Sequence, residues 1–238
     1  EKTEKAIINY RFNEAANELY KFIWSVFCDW YLEFTKVIYI SNDKIEIAET
    51  KSITSFTLSN ILIMLHPIMP FFTEHLWEKA DLVLKKDSSR ISQSKWPNKI
   101  NKYISEAGKV NLFINLISSI RSTRSELNVP LKSKIKITYS NLSEELEDIV
   151  NDNIEILKSL TRSGSVEKKE HSGGEGMVQV IFNDGLIYLS LKDIIDLEVE
   201  KSRLEKNLEK INLEINKIQK KLNDVNFINN APQDIVTE

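Results

Sequence analysis

One cysteine, Cys28, three histidines, six glycines and five prolines are spread over 238 residues. A single thiol excludes an internal disulfide framework and a cysteine-rich zinc site, and it suits a reducing cytosol. His66, His75 and His171 are scattered, and none has a metal-ligand partner four residues on, so no metal site is read from them. The only glycine cluster, Gly173-Gly174-Glu175-Gly176, does not sit between a strand and a helix, so a phosphate-cradling loop is absent. No apolar run reaches the roughly 20 residues of a transmembrane helix, and the opening EKTEKAII lacks the features of a secretion signal. There is no initiator methionine, and Glu1 opens in mid-pattern, as expected of a fragment. Excess positive charge is missing too: a net charge of −3 argues against wholesale electrostatic capture of a polyanion, so any such contact must come from local basic patches. Nothing assembles a nucleophile or an acid–base pair. The chain reads as a binding or scaffold module with no catalytic residue, metal or cofactor of its own.

What the chain does have is helical periodicity. The stretch it is organised around is Leu58 to Trp77, LSNILIMLHPIMPFFTEHLW. Ile61 to Leu65 is apolar on every side, which predicts a helix buried all round. Pro67 and Pro70 lack the backbone N–H and push the preceding residue out of the α region, so this helix should stop near His66. Pro70 suits the first position of a second helix carrying Phe71, Phe72, His75, Leu76 and Trp77. His66 beside a proline reads as a hydrogen-bonding corner residue rather than a catalyst. Upstream, Phe12, Ala16, Leu19, Ile23, Val26, Trp30, Phe34 and Val37 recur at steps of three and four, one long amphipathic helix over about 11–39. Ser41, Asn42 and Asp43 end it, and another helix runs from about Ile45 to Leu65. Residues 87–93 read as a loop, with Trp96-Pro97 either plugging its end or simply closing the core. A helix over 103–127 buries Ile104, Val110, Phe113, Ile114, Ile117 and Ile120.

From Pro130 the period changes. Ile135, Ile137 and Tyr139 alternate with polar residues, as do Val178, Val180 and Phe182, then Ile187, Leu189 and Leu191 after an Asn183-Asp184-Gly185 hairpin turn. Leu142 to Leu160 has helical spacing, and HSGGEG (171–176) is a flexible connection. Residues 130–191 thus form a small α+β unit with three or four strands. Ile194, Leu197, Lys201, Leu204, Leu208, Ile211, Ile215, Ile218, Leu222 and Val225 then follow heptad spacing, with Lys201 the one break. Such a two-position stripe is a coiled-coil seam. From Asp193 to Asn223 the helix would extend about 45 Å, at roughly 1.5 Å per residue. It needs a partner. Asn229-Asn230-Ala231-Pro232 reads as the turn into a returning helix, of which the sequence holds only a few residues.

Two groups of cations stand out. Arg121 and Arg124, three apart, share a helix face and suit phosphate or carboxylate recognition; structural ion pairs are the plain alternative. Lys217, Lys220 and Lys221 load the end of the coil, which either answers the helix dipole or carries positive charge to the tip of an arm that touches a polyanion.

The segments RFNEAANELYKFIWSVFCDWYLEFTK (11–36), HPIMPFFTEHLWEK (66–79), the Trp96-Pro97 pair and RSTRSELNVP (121–130) resemble the C-terminal third of the valyl-tRNA synthetases, as does NFINNAPQDIV (226–236) after a heptad helix. The first two are shared more loosely with the isoleucyl and leucyl enzymes; the order of bundle, α+β unit and coiled arm is more specific to the valyl family. The resemblance implies a mainly α fold: a helical anticodon-binding bundle at 1–129, a small α+β unit at 130–191, and a coiled tRNA-binding arm at 192–238. It also implies tRNA(Val) as partner, a cytoplasmic and monomeric parent, and catalytic and editing domains elsewhere in that parent, which would use ATP; this part alone could not activate valine. Carried onto this sequence, it raises Arg11, Lys21 and Lys36 as RNA-facing residues of the first long helix, with Arg121 and Arg124 near the stem or anchoring the junction, and Lys217, Lys220 and Lys221 on the arm. Trp24, Trp30, Tyr31 and Trp77 are expected mostly in the core, with an exposed one able to stack on an anticodon base. Another class stays open: a structural adaptor that dimerises through the heptad seam without RNA.

Overall fold

The computed structural model describes residues 1–80, 88–98, 104–170, 174, 176–192, 194–195 and 197–223. The chain divides into two compact units, residues 1–118 with 143–161 and residues 119–142 with 162–238. The stretch 130–191 is therefore shared: its helices belong with the first unit and its strands with the second.

The first unit opens with α1 (Lys2–Ile8) and α2 (Phe12–Phe22). The corner between them passes through Tyr10 in the left-handed region, at φ 57°. From α2 the chain runs through a π-helical stretch, Ile23–Tyr31, into α3 (Leu32–Tyr39), so a helix does cover the span the periodicity marks out. Its inward face is a different one. Ala15, Leu19, Phe27 and Thr35 are buried, whereas Phe12 is 58% exposed and Val26 is half-exposed. The buried positions are spaced at multiples of four, with half-buried Ile23 and Tyr31 filling the intervening steps. In an α-helix such a stripe drifts by about 40° per step, and the wider π turns absorb that drift. Of the stripe expected at 3.6 residues per turn, Ile23, Trp30, Phe34 and Val37 are half-buried, while Phe12 and Val26 face outward. Trp24 is swung out, 58% exposed, with its ring stacked on Tyr20 at 6.3 Å, which corrects its assignment to the core.

α4 (Lys44–Leu65) begins where the Asp43 carboxylate accepts hydrogen bonds from the N–H groups of Ile45 and Glu46, at 2.9 and 3.0 Å. A cap of this kind stabilises a helix by about 1 kcal/mol. The helix stops before Pro67, and α5 (Pro70–Lys79) starts with Pro70 in its first turn, as the two prolines predict. His66 Nδ1 and Thr73 Oγ1 lie 2.8 Å apart across the corner. Thr73 donates its proton to Met69 O at 2.9 Å, so His66 donates through Nδ1–H. The all-round burial of the α4 end does not hold: Ile61 and Leu62 are buried, Ile63, Met64 and Leu65 are half-buried, and Phe71 is 92% exposed. An apolar surface reports what calls for cover, and the described residues cover one side.

Leu62, Trp77 and Ile91 form a core cluster beneath this corner. The Trp77 indole donates to Ser88 O at 3.2 Å, and the Ile91 N–H donates to Glu74 Oε1 at 3.3 Å. The segment read as a polar loop thus carries a 3₁₀ turn, Ile91–Gln93, with a buried anchor; Trp96 is half-buried. α6 (Ile104–Glu126) buries Phe113, Leu116, Ile117 and Ile120, while Val110 stays half-exposed. The helical spacing over 142–160 resolves into α7 (Glu144–Asp152) and α8 (Ile154–Thr161), and α8 packs against α3.

The second unit holds a four-stranded mixed sheet of β1 (Ile135–Ser140), β2 (Ser163–Lys168), β3 (Met177–Phe182) and β4 (Gly185–Ser190), in the order β2-β1-β4-β3. β1 pairs parallel with β2 and antiparallel with β4, which pairs antiparallel with β3. β2, SGSVEK, escapes the alternation test because it carries a single large apolar residue, Val166. Asn183 takes φ 50° in the two-residue turn between Phe182 and Gly185. Gly185 lets the chain pass close to 141–142: a Cβ there would lie 3.2 Å from Leu142 Cα and 3.3 Å from Asn141 O, and would displace the Leu142 side chain. α9 (Leu197–Leu222) follows. Most of HSGGEG and the turn at 229–232 lie outside the described residues. Among the described residues no helix is long and apolar enough to cross a membrane.

Trp77→Ala is expected to lower the stability of the helical unit by about 3–5 kcal/mol, and Trp77→Phe by clearly less. Denaturant midpoints of the two variants check this.

Candidate nucleic-acid interface

The two arginines three apart on α6 do not act as a pair. Arg124 is 6% exposed and its guanidinium is committed to three carbonyls: Ser133 O at 3.0 Å, Pro130 O at 3.3 Å and Arg162 O at 3.3 Å. Burial, and then the charge of Arg162, push its pKa down from the ordinary arginine value. A guanidinium buried in this way ties the end of α6 to the entries of β1 and β2 and presents almost no surface to a phosphate. Its placement among RNA-facing residues gives way to the anchoring role, through carbonyls rather than through ion pairs. Arg121, one turn earlier, is exposed and has no ion-pair partner among the described residues.

The remaining candidates are at the surface. Arg11 stands at the N-terminal boundary of α2, its Nη1 3.4 Å from Glu14 Oε1. Lys21 lies in the last turn of α2 and is exposed. Lys36 is exposed on α3 and pairs with Glu33. On α9, Lys217 and Lys220 are exposed; the side chain of Lys221 lies outside the described residues. The same helix leaves Leu204, Leu208, Ile211, Ile215, Ile218 and Leu222 exposed along its seam. Arg203 fastens α9 within its unit, donating from Nη2 to Glu126 O at 2.6 Å.

Two concavities in the helical unit differ in charge. One, of about 590 Å³, runs between α1 and α2 and is lined by Lys2, Lys5, Arg11 and Lys21 against Glu14 and Glu18. The other, of about 330 Å³, has an apolar floor including Phe34 and Phe113 and a rim of Glu106, Glu145, Asp148 and Asp152. The first hollow thus carries a surplus of cations and the second, even with Lys109 on its rim, a surplus of carboxylates. Among the described residues no group of three or more His, Cys, Asp or Glu side chains is arranged to hold a metal ion.

Residues 1–139 match the family described as the anticodon-binding domain of tRNA ligase. The chain belongs to this family. Residues 196–238 match a second one, the valyl tRNA synthetase tRNA binding arm. Among curated proteins, the chain is similar to the valine–tRNA ligase of Mesorhizobium japonicum, 35% identical over 230 residues, covering 97% of this chain and 25% of that protein. It is likewise similar to the valine–tRNA ligase of Zymomonas mobilis, 35% identical over 240 residues (99% and 27%), and to that of Staphylococcus aureus, 36% identical over 237 residues (96% and 26%). The chain spans about a quarter of the length of these relatives.

For an anticodon-binding-domain chain, the cations that sequence reasoning passed over are Lys2 and Lys5. They sit three apart on α1, a spacing that puts them on one helix face, but a seven-residue helix at the start of the chain offers too little periodicity to single out. Among the four aromatics that sequence reasoning named, Trp24 is the exposed one.

Arg124→Ala removes three hydrogen bonds to carbonyls and leaves a cavity at a buried site, and is expected to cost about 3 kcal/mol, whereas Arg121→Ala should stay within about 0.5 kcal/mol of the parent. Thermal melts of the two single variants separate the anchor from the exposed cation.

Proposed function

We propose that the chain serves as the tRNA-gripping portion of a valine–tRNA ligase, holding the anticodon stem-loop with its helical unit and the outer corner of the tRNA with the arm that begins at α9. The observation that carries this is one chain joining an anticodon-binding domain over 1–139 to a valyl-type tRNA binding arm over 196–238. The exposed cations Lys21, Arg121, Lys217 and Lys220 supply phosphate contacts, which set affinity and register, while base edges in the unstacked loop supply discrimination. In this reading the substrate is tRNA(Val) in the cytoplasm, and the chain works as part of a monomeric ligase whose catalytic and editing domains perform the chemistry. ATP belongs to those domains. Gly108, Gly164 and Gly185 lie within α6, within β2 and at the start of β4, so none of them opens a helix as a phosphate-binding loop would.

The exposed seam of α9 supports a second reading, an adaptor that pairs two copies through that helix. Filter binding separates the two. About four phosphate contacts would weaken binding about a hundredfold between roughly 50 and 200 mM salt. The expected result is preference for tRNA(Val) over an unrelated tRNA, with that salt dependence and a monomer by light scattering. Equal affinity for both tRNAs without salt dependence, together with a tight dimer, would establish the adaptor instead.

A further inference from the structure

We propose that the groove between α1 and α2 is a binding site for an unpaired stretch of RNA, with Lys5 and Lys21 on its phosphates and Tyr10 stacked on one of its bases. The proposal rests on the tRNA-binding reading above and adds to it a location and a kind of RNA.

The charge of the groove is the first observation. Its two carboxylates are both engaged, Glu14 by Arg11 at 3.4 Å and Glu18 by Lys2 at 3.5 Å. Lys5 and Lys21 line the same space, exposed, with no ion-pair partner among the described residues. A strip whose acids are neutralised and whose surplus cations face solvent attracts a polyanion, even though the whole chain is acidic.

The second observation is the backbone at the corner. Tyr10 has φ 57° and is 82% exposed. A bulky aromatic residue in the left-handed region is a conformational outlier, and glycine or asparagine is the ordinary occupant. The strain is held in place by Tyr10 N–H donating to Ile7 O at 3.0 Å and Arg11 N–H donating to Ala6 O at 2.8 Å. The side chain gains no burial in return. Its ring is propped edge-on by Phe12, with centroids 6.3 Å apart and planes at 83°. Strain kept for an exposed ring between groove residues Asn9 and Arg11 points to a role for the ring itself. Aromatic faces beside a basic track are the means by which single-stranded nucleic acid is held. A duplex keeps its bases stacked and offers no face to Tyr10.

The test uses the 238-residue chain and fluorescence anisotropy with three probes: a short labelled single-stranded RNA, the duplex of the same sequence, and a tRNA(Val) transcript. The single strand is expected to bind more tightly than the duplex. Lys5→Glu with Lys21→Glu should weaken single-strand binding at least about tenfold and flatten the salt slope by about 1.4, roughly 0.7 for each lost phosphate contact. Lys51→Glu with Lys79→Glu, two exposed lysines elsewhere on the unit, should change neither. Tyr10→Gly relieves the strained φ, so it should raise the melting temperature while weakening single-strand binding about fivefold or more, with the salt slope kept. Tyr10→Phe should bind as the parent does. A merely structural Tyr10 would make Tyr10→Gly melt lower or leave binding untouched, and either result overturns the stacking role. If tRNA(Val) binds but ignores the groove variants, the groove falls and the broader reading stands. If tRNA(Val) binds no better than an unrelated tRNA, the broader reading falls and this proposal with it.

Discussion

A buried arginine needs partners for the N–H groups it takes out of water, and Arg124 finds three of them in backbone carbonyls of two chain segments, the turn at 130–133 and Arg162. Burying a cation without partners is costly, so the end of α6, the turn at 130–133 and the entry to β2 are brought to positions that satisfy it. Arg162 extends the arrangement: its carbonyl accepts from Arg124, its own Nη1 donates to Leu131 O at 2.6 Å, and its backbone lies in the left-handed region at φ 52°. The start of the parallel pair β1–β2 rests on this knot, since Ile135 N–H also donates to Arg162 O at 3.3 Å. Here a side chain of the type that recognises phosphate is consumed by architecture.

In the helical unit the corresponding constraint is the π-helical stretch between α2 and α3. By under-winding the helix it keeps a four-residue stripe pointing inward from Ala15 to Thr35, and it leaves Tyr20 and Trp24 outside. Tyr31, at the end of that stretch, reaches Thr54 of α4 at 2.8 Å, so the altered phase is tied to a neighbouring helix by a hydrogen bond as well as by packing.

Function follows from which charges remain after the fold has taken its share. Arg124 is committed to carbonyls; Arg11, Lys2 and Lys36 answer nearby glutamates. Lys5, Lys21, Arg121, Lys217 and Lys220 remain at the surface, on a chain whose net charge is negative. Local patches of this sort concentrate positive charge, whereas the hollow at Phe34 and Phe113 is rimmed mainly by carboxylates.

Several features were legible in the sequence because they are local. The helix stop before Pro67, the restart at Pro70, the hairpin at Asn183-Gly185 and the alternation of β1, β3 and β4 each depend on one residue's backbone chemistry or on a period of two. The heptad stripe of α9 was legible for the same reason, and motif segments spread over nearly the whole chain carried the family. Other features depended on partners distant in the chain. β2 exists because β1 offers it hydrogen bonds, since SGSVEK alone has almost no strand signal. Ile91 is buried because Leu62 and Trp77 cover it. Most of all, Arg121 and Arg124 are the same residue type on the same helix, and the sequence determined only that both are cations. Tertiary structure decided that one is a buried anchor and the other exposed, because burial and the three carbonyls that make it tolerable are supplied by chain segments up to 38 residues away.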